Sequence, residues 1–149
     1  MRTRAEHEPP AAAAPLRILC VEDRPADVEL CRQCLEQAGF ALQMDAVETR
    51  EQFLARIQSD AYDVVLADYG LPGWTGLEAL QHLRQLEIDI PFILVTGSLG
   101  EETAVECLKQ GASDYVLKDR LSRLPAAVAR SLEERKLKEA WARGEEAMA

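Results

Sequence analysis

Five side chains in this sequence could share one piece of chemistry. They are the adjacent acids Glu22 and Asp23, a third acid Asp68, the hydroxyl of Thr96 and the amine of Lys118. Each stands where an apolar run gives way to polar or turn residues. LRILCV leads into Glu22-Asp23, VVLA into Asp68, PFILV into Thr96-Gly97, and DYVL into Lys118. Three acids brought together repel and raise one another's pKa. A divalent cation removes that conflict. Mg2+ suits the set, since it takes an octahedron of oxygens, keeps several waters and works with carboxylates plus a substrate phosphate. Zinc would want His or Cys. With the ion bound, Asp68 still has an oxygen to offer as nucleophile. Phosphoryl transfer asks little of a protein beyond in-line positioning and charge neutralisation. Lys118 could neutralise phosphoryl oxygens, Thr96 could donate a hydrogen bond to one, and the small Gly97 leaves room beside the hydroxyl. Taken singly, each residue has a plainer role. Glu22 and Asp23 could cap a helix, Thr96 could be a β-former and Lys118 a solvated charge. The chemistry requires that the fold bring the strand ends together.

The elements that would do so can be read in order. Leu16 to Val21 is a first strand. Pro25 suits the first turn of a helix, where its missing N–H costs nothing. Leu30, Cys31, Cys34, Leu35 and Ala38 continue that helix, and Gly39 is a natural stop. Leu42, Met44 and Ala46 alternate with polar residues, as an edge strand does. Thr49 with Gln52 is a capping box that opens a helix carrying Phe53, Leu54 and Ile57. Val64 to Asp68 reads as a buried strand, and Tyr69 to Gly73 as turn chemistry. Thr75 with Glu78 is a second box, ahead of the stripe Leu77, Leu80, Leu83. Pro91 to Thr96 is another buried strand. Ser98 with Glu101 is a third box, followed by Ala104, Val105, Leu108 and a stop at Gly111. Asp114 to Leu117 is a short strand. A helix capped at Asp119 would be broken by Pro125, so the last helix is expected to start near Leu124 and to run to about Glu146. Five strands alternating with five helices, the last extended, imply an α/β fold with a parallel sheet and right-handed crossovers. The expected architecture is flavodoxin-like and doubly wound, with strand order 2-1-3-4-5. In such a sheet all carboxyl ends converge on one edge, where ligands bind.

The bulk properties narrow the function. The 149 residues suggest one domain, and 48% hydrophobic residues are enough for a core without staples. We divide the chain into a flexible tail at 1–15, a domain at 16–140 and a helical extension or linker at 141–149. The formal charge of −9 disfavours nucleic acid as a direct partner. Cys31 and Cys34 form a CxxC inside a helical pattern, without a second pair or a nearby His. With Cys20 and Cys107 they read as small apolar residues in a reducing compartment. No stretch is apolar enough to span a membrane and none reads as a signal peptide. A cytoplasmic protein without membrane partners is expected.

These motifs resemble a bacterial response-regulator receiver domain over about residues 16–140. The match rests on the Glu22-Asp23 pair, on Asp68 in VVLADYGLPGWTG, on Thr96-Gly97 after PFILV, and on GASDYVLK ending at Lys118. The resemblance implies a phosphoacceptor switch rather than a conventional enzyme. Asp68 would take a phosphoryl group from a histidine kinase or phosphotransfer protein. The domain would assist its own Mg-dependent phosphorylation and dephosphorylation. Mg2+ would be held by Glu22, Asp23, Asp68 and the backbone carbonyl of Gly70. Lys118, Thr96 and Gly97 would meet the phosphoryl group. Tyr115, three residues before the lysine, matches the family's switch aromatic, which turns inward when Thr96 is drawn to the phosphate. The alternative is a receiver-like interaction module that is not phosphorylated. An Asp-nucleophile phosphatase fits poorly, because Gly70 stands where its second acid would be. A flavin-binding flavodoxin would need a phosphate loop after the first strand. Trp74 is expected to pack beyond Asp68, and His82 to sit exposed on its helix. Asp119 replaces the proline that follows the lysine in many receivers, so a trans bond is expected there. LKDRLSRLP resembles receivers joined to sensor modules and histidine kinases. The C-terminal segment reads either as a solvated extension of the last helix, or as a linker helix pairing in a homodimer or leading into a further domain.

Overall fold

The computed structural model describes residues 14–97 and 100–148. The Val-, Ile- and Leu-rich runs form β1 (Leu16–Val21), β2 (Leu42–Val47), β3 (Val64–Ala67), β4 (Phe92–Thr96) and β5 (Asp114–Leu117). These five make one sheet in the order β2-β1-β3-β4-β5. Every pairing is parallel. This is the expected flavodoxin-like order, and it sets all the carboxyl ends on one edge. The helices are α1 (Pro25–Gln37), α2 (Arg50–Ser59), α3 (Gly76–Gln85), α4 (Glu101–Lys109) and α5 (Leu124–Met148).

Side chains alternate across a strand, and that alternation divides the core. Val65, Ala67, Phe92 and Leu94 pack with Phe53, Leu80, Leu83 and Cys107 from α2, α3 and α4. Val64, Leu66, Ile93 and Val95 pack with Cys31 and Leu35 of α1 and with Leu124 and Val128 of α5. The expected apolar positions Ala38 and Ala46 are exposed, and three larger ones also lie outside these faces. Leu30 is 52% exposed, Val105 44% and Leu108 40%. Each is one residue, about 100° of helix, away from a buried neighbour: Leu30 from Cys31, Val105 from Ala104, Leu108 from Cys107.

The helix starts follow local chemistry to different degrees. Pro25 occupies the first turn of α1, and Gly39 beyond its end has φ 103°. Thr49 and Gln52 form the complete capping box. At α3, Thr75 Oγ1 accepts from the Glu78 N–H at 3.2 Å, which is half of a box. The N-cap of α4 is Gly100, without a side-chain cap. Ser98, the expected cap of the third box, lies outside the described residues. The tail expected at 1–15 also lies outside them, apart from residues 14 and 15.

Two elements were not expected. Gly70–Leu71 and Trp74–Thr75 pair as a small antiparallel hairpin. Lys118–Arg123 forms a 3-10 helix ahead of α5. α5 starts at Leu124, as Pro125 requires, and continues to Met148. Trp74 is buried, tilted against Phe53 at 5.8 Å between ring centroids, and its Nε1–H donates to the Glu48 carbonyl at 3.0 Å. His82 is partly buried rather than exposed. No peptide bond among the described residues is cis, the Lys118-Asp119 bond included.

Candidate functional site

Backbone pairing continues past the ends of the strands and sets the site. The Glu22 N–H donates to the Val47 carbonyl at 2.9 Å, and the Asp68 N–H to the Val21 carbonyl at 3.0 Å. Glu22 and Asp68 thereby stand side by side on the carboxyl edge. Glu22, Asp23 and Asp68 each bring a carboxylate oxygen within 4.8 Å of the others. This all-oxygen donor set fits a hard divalent cation such as Mg2+ and offers nothing that zinc would prefer.

Lys118 enters the same cluster from the end of β5. Its Nζ donates to Glu22 Oε2 at 2.7 Å, to Asp27 Oδ2 at 2.7 Å and to Asp68 Oδ2 at 3.0 Å. Burial, reinforced by the neighbouring Asp68 charge, pushes the Glu22 carboxyl up to about 6, although the hydrogen bond from Lys118 pulls the other way. For Lys118, burial disfavours the charge. The hydrogen bonds to Asp27, Glu22 and Asp68 outweigh it, and the ammonium is held above its ordinary pKa. An acid cluster with one firmly charged lysine can neutralise an incoming anion while leaving a carboxylate oxygen free to attack.

The other expected residues take their places around this cluster. Thr96 is buried at the end of β4, opposite Leu117, the residue before Lys118. Gly97 and Gly70 are both exposed, with open space where a Cβ would stand. Gly70 opens the hairpin two residues after Asp68. Tyr115 is partly buried against the α2–α4 side of the core. Among the described residues, no hydrogen bond joins it to Thr96.

Two residues were missed by sequence reasoning. Asp27 lies in the first turn of α1 and shares Lys118. An acid there is common, because it complements the helix dipole, so nothing in its position set it apart. Gly76 begins α3 directly against the site. A Cβ there would lie 2.9 Å from Leu94 Cδ2 and far inside contact distance of the Asp68 carbonyl oxygen. A glycine at the start of a helix whose cap is already Thr75 was a readable sign of such an approach. The four cysteines are free. Burial pushes the Cys20 thiol well up and that of Cys31 to about 12, so neither supplies a thiolate.

A family model of the response regulator receiver domain matches residues 18–129. The C4-dicarboxylate transport transcriptional regulatory protein DctD of Rhizobium meliloti is 34% identical over 127 residues, covering 85% of this chain and 27% of that protein. Sensor protein GacS of Pseudomonas syringae pv. syringae is 31% identical over 120 residues, covering 77% of this chain and 13% of that protein. The chain thus matches only a minor part of the length of these relatives. Among solved structures, the signal receiver domain of a putative Luxo repressor protein from Vibrio parahaemolyticus superposes with a TM-score of 0.77 at 26% identity. That match covers 85% of this chain and 97% of the other.

Proposed function

The chain belongs to the response regulator receiver domain family, whose members are phosphoacceptor switches of two-component signalling, and on that premise we propose that Asp68 is the phosphoacceptor. The observation that carries this reading is the meeting of Lys118 with Glu22 and Asp68 of the oxygen-only acid cluster. In the proposed step, an Asp68 carboxylate oxygen attacks the phosphorus of a phosphohistidine on a sensor kinase or phosphotransfer protein. The P–O bond forms as the P–N bond breaks, and the imidazole leaves with the electron pair and takes up a proton. Lys118 meets the charge on the phosphoryl oxygens, and Thr96 donates a hydrogen bond to one of them. Glu22, Asp23, Asp68 and the Gly70 carbonyl are the groups that would hold Mg2+. When bound, the ion would screen the acids from the incoming phosphate. The same groups would assist dephosphorylation.

Phosphorylation adds a charge of about −1.5 to −2. In this reading it biases the loops after β3 and β4, and Tyr115 follows Thr96. The long α5 carries the output, through pairing with a second copy or through a downstream domain; DNA is not a direct partner. The test is intact mass after incubation with Mg2+ and a small phosphodonor, with Asp68→Asn alongside. A single adduct is expected on the parent, dependent on Mg2+ and absent from the variant. A folded parent that takes no phosphoryl group, even from a histidine kinase, would leave an interaction module instead.

A further inference from the structure

Lys118 has three N–H donors, and three different carboxylates take them. Two of those carboxylates, on Glu22 and Asp68, belong to the cluster suited to a cation, and Asp68 is also the proposed nucleophile. Loading the site draws on their oxygens, so the bonds that Lys118 makes to them must be rearranged. Asp27 stands outside that cluster, and nothing in the loading of the site requires its bond to Lys118 to change. Its own place is fixed by α1, which Pro25 starts two residues earlier. The side chain is 20% exposed, so the pair is largely shielded from water.

A lysine ammonium rides on a flexible four-carbon stem. A group that must meet a transferring phosphoryl oxygen works best when it is already in place. We propose that Asp27 is a positioning residue for phosphoryl transfer. It keeps the Lys118 ammonium at the mouth of the site, so that the donors released by Glu22 and Asp68 meet the phosphoryl oxygens directly. This inference rests on the proposed role of Asp68 and adds a residue that the family motif does not contain.

A rival role for Asp27 is a staple between α1 and the end of β5, which would affect stability but not the chemistry of Lys118. The two are separated by the initial rate of phosphoryl uptake from a small phosphoramidate at saturating Mg2+, read by intact mass. The proteins are the parent, Asp27→Ala, Asp27→Asn, Asp27→Glu, Lys118→Ala and the Asp27→Ala/Lys118→Ala double variant, each checked for folding by its thermal melt. Asp27→Ala is expected to be about tenfold slower, the effect of losing one charge-assisted hydrogen bond. Asp27→Asn, which keeps an accepting oxygen, falls between it and the parent, and Asp27→Glu recovers most of the rate. In the Lys118→Ala background, removing Asp27 changes the rate by less than about twofold. Parent-like rates from folded Asp27→Asn and Asp27→Ala overturn the proposal, as does equal slowing in both backgrounds. If Asp27→Ala does not fold, the near-isosteric Asp27→Asn decides by the same criterion. A parent that takes no phosphoryl group sinks the reading of Asp68 and this inference with it. Normal uptake by the parent with unaltered Asp27 variants sinks this inference alone.

Discussion

Gly76 shows how closely single atoms constrain the site. Its missing Cβ lets α3 begin against the backbone of Asp68. Gly76→Ala would push into a carbonyl oxygen, which cannot swing aside as a flexible side chain can. We expect a loss of about 1–3 kcal/mol, the usual range for overpacking, measured by urea unfolding. Phosphoryl uptake is expected to fall as well, because the atom displaced belongs to Asp68. The acids that end strands were readable because each closes an apolar run, and Lys118 because it closes the last one. Asp27 was not readable, since its partner lies 91 residues away and only the strand order brings the two together.

At the scale of elements, the end of α3 carries strain that one substitution could relieve. The Glu87 N–H donates to the Arg84 carbonyl at 3.1 Å, and the Ile88 N–H to the Leu83 carbonyl at 3.0 Å. That closure holds Glu87 at φ 59°, the left-handed region that favours glycine. Glu87→Gly is expected to stabilise the protein by ~0.5–1 kcal/mol, seen as a higher melting temperature with phosphoryl uptake unchanged. The five strands were legible to within a residue, because apolar runs and their turn boundaries are local. The hairpin was not, since two residues per strand are too few to show alternation. The 3-10 helix at Lys118–Arg123 was also hidden. Its contacts come from elsewhere, such as the bond from Cys34 Sγ on α1 to the Leu121 carbonyl at 3.3 Å. The start of α4 escaped because its N-cap, Gly100, makes no side-chain bond that a motif could announce.

At the scale of the whole molecule, α5 is packed at its base and exposed beyond it. Leu124, Ala127, Val128 and Ser131 are buried against the body. Farther along, Leu137 is 61% exposed and Trp141 68%. These two lie four residues apart, on one face. If this face is the output surface, Mg-dependent phosphorylation raises the dimer fraction measured by light scattering, and the Leu137→Ala/Trp141→Ala double variant abolishes that rise while still taking up phosphoryl. Unchanged association in the double variant would place the output elsewhere. Among the described residues no helix is long and apolar enough to cross a membrane, so the exposed apolar face of α5 does not amount to a span. The fold and the position of the site were readable because they follow from periodicity along the chain. The partner of an exposed helical face was not, because such a face is defined by what it lacks.

α5 also has a mechanical consequence. Its 25 residues make a rod about 37 Å long. The rod is clamped at its base by the residues up to Leu132 and by the Arg130–Asp114 ion pair, and beyond them the exposed Lys138–Asp89 pair is the one ion pair with the body among the described residues. Exposed pairs of that kind contribute little, so the outer part is a lever arm of roughly 25 Å with its fulcrum near the core. A pivot of about 5° at the base then carries the tip through about 2 Å, by the geometry of a rigid rod. Small adjustments around β5 and the 3-10 helix, too slight to be noticed locally, would arrive at the far end magnified.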